Sequence, residues 1–547
     1  RDRARADLVR NTRTSLWTMF AMVGVILLIA CVNVANLLIV RGVSRRREIA
    51  IRLALGADRR RVVRELLTQS LLLALVGGLV GLALSAWTRQ ILVSLAPANM
   101  PRLDQVTLDV RVLAASFVLV LITGLLFGVL PAWQASRERP IDALRATERV
   151  VAGTTVMRWR NALMTIEVAL SAILLVGAGL TFRSLNAMNG VPLGFRTDHV
   201  LAMNISLPNP RYAAADDRFA FFDRLAGRVR AIPGVEEVAF ANRLPLRGGW
   251  GSGFLIDGMP PPPSGFYDCD FQAVSTGYFD VFGIPLRRGR ALQSSDIKGA
   301  QPVAVVSEAF SRQILNGADP IGHAIRRGPN APLITIVGVV GDVRRQGKLE
   351  QLGPQVYLPA AQTGSYPVRL ADLAVRTMGD PKSLVPALQQ ALWSIDASQP
   401  VTAVLTLDEV LFQRGAAQRF RALLFGMCAV LALILSLVGV YGVVSYAVSQ
   451  RTPEIGIRIA LGAARGDILR WLVGGTAALV VIGVVAGLLV ARFLSRTLDA
   501  LLFGVTSADL ATYAIAAVSI TVVALGSAAL AARRATLIDP ARALRGE

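Results

Sequence analysis

Residues able to carry chemistry are few in this sequence of 547 residues. Its lysines are Lys298, Lys348 and Lys382, its histidines His199 and His323, and its cysteines Cys31, Cys269 and Cys428. A nucleotide-binding P-loop needs Gly-Lys followed by Ser or Thr. Lys298 follows Ile297, Lys348 precedes Leu349 and Lys382 follows Pro381, so this sequence holds no such loop. Scattered single cysteines offer neither a disulfide framework nor a Cys-x-x-Cys metal site, and the histidines lack ligand companions at useful spacing. Ser307-Glu308 follows an apolar run with no histidine nearby to activate the hydroxyl, which predicts a helix cap and not a nucleophile. Gly338-Val339-Val340-Gly341 lacks the helix and third glycine of a dinucleotide loop. The chain is expected to be no enzyme and to hold no cofactor or metal.

Two features remain. Glu167 is an acid inside a long apolar run, where such residues are functional by default. It lies six residues from the start of that run, roughly 9 Å at about 1.5 Å per residue. Two readings stay open: an interfacial anchor paired with Arg158 or Arg160, or a coupling residue at a helix interface. The second feature is Glu48-Ile49-Ala50-Ile51-Arg52-Leu53-Ala54-Leu55-Gly56-Ala57, which returns after 406 residues as Glu454-Ile455-Gly456-Ile457-Arg458-Ile459-Ala460-Leu461-Gly462-Ala463. Ten of the seventeen positions from 48 to 64 are identical in the copy. An amphipathic basic helix of this kind can lie on lipid, but lipid binding selects composition and not residue order. A repeated order points to a protein docking surface, with Gly56 and Gly462 placed to turn the chain.

The elements that hold these residues follow from composition. The sequence is 53% hydrophobic and 17% charged, against about 25% charged in soluble domains. Seven apolar runs are long enough to span a bilayer: 14–40, 66–88, 112–136, 161–182, 422–450, 471–491 and 510–532, and only that of Glu167 contains a charge. The net charge of +21 comes from arginine, which calls for nucleic acid or a membrane edge. Its distribution selects the membrane. Loops 41–65, 137–160, 451–470 and 533–547 carry nine, six, four and four arginines, whereas 89–111 and 492–509 carry three and two. Arginine is retained on the cytoplasmic side, so the last two loops and the polar stretch 183–421 face outward. Residues 1–13 hold five arginines yet lie outside by parity, which reads as the end of a translocated domain.

The stretch outside changes to short β-rich runs and helices. Residues 199–207, 235–240, 302–306, 334–340, 370–376 and 401–405 read as strands. Phe219, Phe222, Leu225 and Val229 form a helical stripe, and 381–395 is a second helix. Pro260–Pro263 reads as a stiff linker between subdomains. In the apolar runs, Asn33 and Asn36, matched by Gly439 and Gly442 at the 406 offset, suit close helix packing or interhelical hydrogen bonds.

The repeated motif, with the exits Ala143-Leu144-Arg145 and Ala543-Leu544-Arg545, resembles the FtsX-like permeases, the transmembrane subunits of the MacB/LolCDE class of ATP-binding-cassette systems. Tyr278-Phe279, Gly283-Ile284-Pro285-Leu286, Asp319-Pro320-Ile321-Gly322 and Val356-Tyr357-Leu358-Pro359 are similar to the pattern of a MacB-type periplasmic core domain. The fold expected is a polytopic α-helical membrane protein of seven spans with an internal repeat and an α+β periplasmic core domain. Residues 1–15 would end a first periplasmic domain, 16–146 form the first three-span repeat, 147–160 a cytoplasmic linker and 161–182 a span. Residues 183–420 would then form the periplasmic core domain and 421–547 the second three-span repeat.

The resemblance implies a multi-pass protein of the bacterial inner membrane that couples ATP hydrolysis by a separate cytoplasmic ATPase to movement of periplasmic domains, without a pore between the spans. The ATPase would dock on Glu48, Ile49, Ile51, Arg52, Leu55, Gly56 and Ala57 and on Glu454, Ile455, Ile457, Arg458, Leu461, Gly462 and Ala463, with Glu167 a coupling residue. Further partners would be membrane lipid and a periplasmic adaptor or substrate, with no nucleic acid. A parent chain of eight spans and two external domains would be a covalent pseudo-dimer. Two other classes stay open: a membrane-anchored sensor or scaffold, opposed by cytoplasmic loops too short for a signalling domain, and a secondary transporter, opposed by the lack of charge at mid-membrane.

Overall fold

The structure is a computed structural model that describes residues 17–36, 59–95, a few positions from 111 to 118, 151–208, 211–365 and 369–535. The chain divides into two compact units, one from Arg1–Ala187 with Gln418–Glu547 and one from Met188–Ala417. The first unit begins with helices α1 (Trp17–Asn36), α2 (Arg59–Leu95) and α3 (Val151–Asn189). Of the seven expected spans, six appear as helices long and apolar enough to cross a membrane. The seventh, 112–136, falls almost wholly outside the described residues, as do 1–15 and the exits at 143–145 and 543–545.

The inserted unit is α+β. Its elements are β1 (Val200–Asn204), α4 (Ala215–Arg230), β2 (Val235–Ala241), β3 (Trp250–Ile256), β4 (Tyr267–Val274), α5 (Tyr278–Phe282), β5 (Leu286–Gly289), β6 (Val303–Ser307), α6 (Glu308–Ile314), β7 (Ala324–Arg326), β8 (Ile334–Val340), β9 (Gln355–Pro359), β10 (Asp372–Thr377), α7 (Val385–Trp393), β11 (Thr402–Thr406) and α8 (Leu407–Arg414). The strands run β11-β1-β10-β2-β4-β3-β7-β8-β6-β9, and β9 returns to pair with β4 in parallel. One end of the sheet is therefore open, while β4, β3, β7, β8, β6 and β9 close on themselves around Phe254, Phe271, Phe310 and Ile336. The open end is covered on both faces. Phe221, Phe222 and Leu225 of α4 with Leu388 and Leu392 of α7 fill one side, and Tyr278 and Phe282 of α5 with Leu407 and Val410 of α8 the other. That two-sided burial is why Val200-Leu201-Ala202-Met203 of β1 and Leu373-Ala374-Val375 of β10 are continuous apolar runs.

All six sequence-predicted strands and both helices are present. Two local expectations change. Pro260–Pro263 joins the paired strands β3 and β4, so it is a hairpin connection and not a linker between subdomains. Ser307 does precede α6, but its hydroxyl accepts from Gln355 N (3.1 Å), and the helix N–H at Ala309 goes to Asp342 Oδ1 (2.6 Å) instead. A stronger cap stands at α8, where Thr406 and Glu409 exchange side-chain and backbone bonds in a capping box. Thr406→Ala should cost about 1 kcal/mol and speed amide exchange in α8 about five-fold. Lys382 beside Glu409, with the Thr406 N–H, holds that carboxyl below its usual range. The Glu409 contribution is thus present above the unfolded value and lost as pH falls through the folded one, so the exchange gap between wild type and Glu409→Gln should close in acid.

The chain then re-enters the first unit as α9 (Ala416–Gln450), α10 (Thr452–Ala460), α11 (Arg465–Ser495) and α12 (Leu510–Ala535). Its core joins Met164, Val168 and Ala172 of α3 to Val440 and Val444 of α9, Val480 and Val484 of α11 and Ile520, Ala524 and Ala528 of α12. Without a hydrophobic force between helices in lipid, small residues decide where they approach. Gly483 and Gly487 of α11 lie against α3: a Cβ at Gly483 would come within 2.8 Å of Thr165 O, and one at Gly487 within 2.8 Å of both Ala169 Cα and Ala172 Cβ. Their counterparts at the 406 offset, Gly77 and Gly81 on α2, are exposed and meet nothing within 4 Å among the described residues.

Candidate functional site

The repeated motif of the second half folds as α10 and the turn after it. Pro453 sits in its first turn, where a missing N–H costs nothing. Gly462 ends it at φ +94°. Its N–H reaches Ile459 O (3.0 Å) and that of Ala463 reaches Arg458 O (2.9 Å), the bond pair of a Schellman turn. Glu454 and Arg458 pair at 2.7 Å one turn apart. Trp471, at the start of α11, is flanked by Arg458 and Arg451 at 4.3 and 4.9 Å from its ring centroid, a cation–π clasp that ties α10 to α11.

The docking residues expected from sequence divide here. Glu454, Ile457, Arg458 and Leu461 share the outer surface, with Ile457 51% and Leu461 82% exposed. Ile455 does not: it is 2% exposed and belongs to the core of the unit, because two steps along a helix turn a side chain by about 200°. Ala463 is half-buried and Gly462 forms the turn. Glu48, Ile49, Ile51, Arg52, Leu55, Gly56 and Ala57 lie outside the described residues. Gly462→Ala places a Cβ where L residues are strained and should cost about 1 kcal/mol. Faster amide exchange confined to α10 and the following turn would show it, and uniform exchange would not.

Glu167 lies where α1, α3 and α9 meet and is fully buried. Asn33 of α1 donates one N–H to Glu167 Oε1 (2.8 Å) and the other to Leu435 O of α9 (3.0 Å). A side chain at Gly439 would collide with Asn33 Oδ1 and both carboxylate oxygens, so the absent Cβ makes the space for the pair. Neither arginine expected as an anchor for Glu167 takes that part. Arg158 is exposed, and buried Arg160 donates to Val443 O (2.7 Å) and lies 4.2 Å from the centre of the Tyr446 ring.

This contact has a symmetry that sequence alone did not show. Asn33 and Gly439 are counterparts at the 406 offset, and Met22 with Cys428, Ile26 with Ala432 and Ile29 with Leu435 are counterparts that share one apolar cluster. Equivalent positions meeting each other is the mark of an isologous, two-fold contact. Trp471, Tyr446 and the Asn33–Glu167 pairing were not found from the sequence. An aromatic just inside a span after a basic loop was the available signal for Trp471.

Two related sets of apolar helices, interrupted by an α+β unit with its own core, define a duplicated polytopic membrane permease. The chain belongs to the FtsX-like permeases that carry a MacB-like periplasmic core domain: residues 20–140 and 426–540 match the FtsX-like permease C-terminal family and 168–393 the MacB-like periplasmic core domain. Relatives include the uncharacterized ABC transporter permease YknZ of Bacillus subtilis, 24% identical over 40% of this chain and 56% of that protein. The macrolide export ATP-binding/permease protein MacB of Mannheimia succiniciproducens is 23% identical over 68% of this chain and 58% of its own length. The pyoverdine export ATP-binding/permease protein PvdT of Pseudomonas aeruginosa is 24% identical over 76% and 60%. This chain thus spans little more than half of each. Among solved structures, the periplasmic region of MacB from Actinobacillus actinomycetemcomitans is similar at 15% identity and a TM-score of 0.29, covering 40% of this chain and 92% of that one.

Proposed function

We propose that this chain is the membrane-spanning component of an ATP-binding-cassette system of the bacterial inner membrane. A separate cytoplasmic ATPase docks on the two copies of the repeated motif, and its closure moves the extramembranous unit. The chain itself catalyses nothing, consistent with a sequence that holds no Gly-Lys-Ser/Thr loop. The observation that supports this reading most directly is α10: a short helix, clasped to α11 through Trp471, that leaves Ile457 and Leu461 exposed beside the Glu454–Arg458 pair. Apolar anchors rimmed by charge are the anatomy of a protein interface. Movement of the outer unit, and not a substrate path between the spans, fits a membrane core whose buried acid is closed off by an asparagine.

The isologous contact of α1 with α9 supports the second part of the reading, a covalent pseudo-dimer in which each repeat serves one ATPase. Relatives are named for export of macrolides and of pyoverdine, and we propose export or efflux as the class of work, with lipid and a periplasmic adaptor or substrate as further partners. The test is reconstitution of the protein in lipid nanodiscs with candidate ATPases of the same cell. Binding and permease-dependent ATP hydrolysis, both lost in Glu48→Arg with Glu454→Arg, are expected. A protein that binds no ATPase and alters no hydrolysis would favour a sensor or scaffold.

A further inference from the structure

The hydrogen-bond inventory at Glu167 is short of one hydrogen. Asn33 uses both amide hydrogens, on Glu167 Oε1 (2.8 Å) and on Leu435 O (3.0 Å). Two buried oxygens are left without a donor, Asn33 Oδ1 and Glu167 Oε2. Both face the same space over Gly439. Two acceptors facing each other repel, and an ionised carboxylate held by one amide in a bilayer is among the costliest arrangements a membrane protein can make. Arg160, seven residues and about two turns earlier on α3, makes no bond to it: its Nη2 donates to Val443 O and its guanidinium lies against the Tyr446 ring.

A single proton resolves both orphans. A protonated carboxyl has one O–H donor besides its acceptor oxygen. We propose that Glu167 is a proton-binding site and is held as the neutral acid, its Oε2–H donating to Asn33 Oδ1 while Asn33 Nδ2 donates to Oε1. The result is a cyclic acid–amide pair with every polar atom of the two head groups satisfied. It lies where the two repeats meet at equivalent positions, so the proton completes a polar link from α1 of the first repeat to α3 and, through Leu435 O, to α9 of the second. Release of the proton leaves two facing acceptors and a charge there, which loosens the contact between repeats. The competing ligand for the same oxygens is a small monovalent cation, which would bridge them while Glu167 stays ionised.

The full chain in lipid nanodiscs tests this by infrared difference spectroscopy. Wild type minus Glu167→Gln should show the carbonyl stretch of a protonated carboxylic acid, shifted in D2O. A carboxylate band in its place overturns the proposal. Thermal unfolding gives an independent arm. Gln supplies one N–H where the acid supplies its O–H and carries a second that is left over, so Glu167→Gln should melt a little below the wild type, whereas Asn33→Leu, which removes the partner, should melt well below both. Glu167→Gln falling as far as Asn33→Leu, or a wild-type melting point that rises with sodium while that of Glu167→Gln does not, assigns the site to an ionised carboxylate or a cation and sinks the neutral pair.

Discussion

Gly487→Leu is expected to unfold or dissociate the membrane unit of this protein. A Cβ there would approach Ala169 Cα and Ala172 Cβ at 2.8 Å, and one turn earlier a Cβ at Gly483 would approach Thr165 O at 2.8 Å and Val168 Cβ at 2.9 Å. Main-chain atoms and Cβ atoms of a helix have no rotamer by which to retreat, so α11 and α3 must separate. The separation reaches Val168, Val480 and Val484, which share their core with α9 and α12. Forcing side-chain volume into a well-packed interface costs about 1–3 kcal/mol and at times more. Leucine at a backbone-to-backbone seat belongs at or beyond the upper end, about 3 kcal/mol or more. Melting in nanodiscs and the fraction of monodisperse protein measure it. Gly81→Leu is the internal control, because it is the 406 counterpart on an exposed face with nothing within 4 Å among the described residues. Equal damage from both substitutions would mean that glycine matters to these helices through their own conformation and not through the contact.

Leu461→Asp is expected to abolish coupling to an ATPase while leaving the fold intact. Leu461 is 82% exposed and stands one residue before the Gly462 turn, so its replacement disturbs no core packing among the described residues. If α10 is the docked helix, Leu461 and Ile457 are its apolar anchors, and loss of a central anchor costs about 2 kcal/mol or more, roughly thirty-fold in affinity. A buried, unpaired carboxylate in the interface adds to that. Ile455→Asp is the contrast, since a charge at a position 2% exposed within the core should lower the melting point before it affects docking. Nanodisc binding of the ATPase, read beside thermal stability, separates the two. Leu461→Asp with unchanged binding and unchanged stimulation of hydrolysis would remove α10 from the docking surface.

Much of this protein is decided by its sequence. Charge-free runs are long enough to lie in lipid, arginine on alternate loops predicts their orientation, and the 406-residue copy makes the two halves alike; these are statements about composition and order along the chain. The strands β1, β2, β6, β8, β10 and β11 were legible from the apolar residues that dominate them, although Glu236 and Glu237 stand in β2 and Asp372 and Arg376 in β10. Strands β3 and β4 were not, because Trp250-Gly251-Ser252-Gly253 and Tyr267-Asp268-Cys269-Asp270 carry glycine and charge through strands whose place is set by neighbours. The tertiary structure alone decided that Ile455 faces inward, that the Ser307 hydroxyl serves β9 and not its helix, and that Glu167 answers to Asn33 and not to Arg160. The physical reason is range. A helix shows its own periodicity within a few turns, but Asn33 lies 134 residues from Glu167 and 402 from Leu435. An asparagine in one apolar run and a glycine in another permit such an approach without specifying it. Only when the helices pack does the missing Cβ of Gly439 become the room that the Asn33–Glu167 pair occupies.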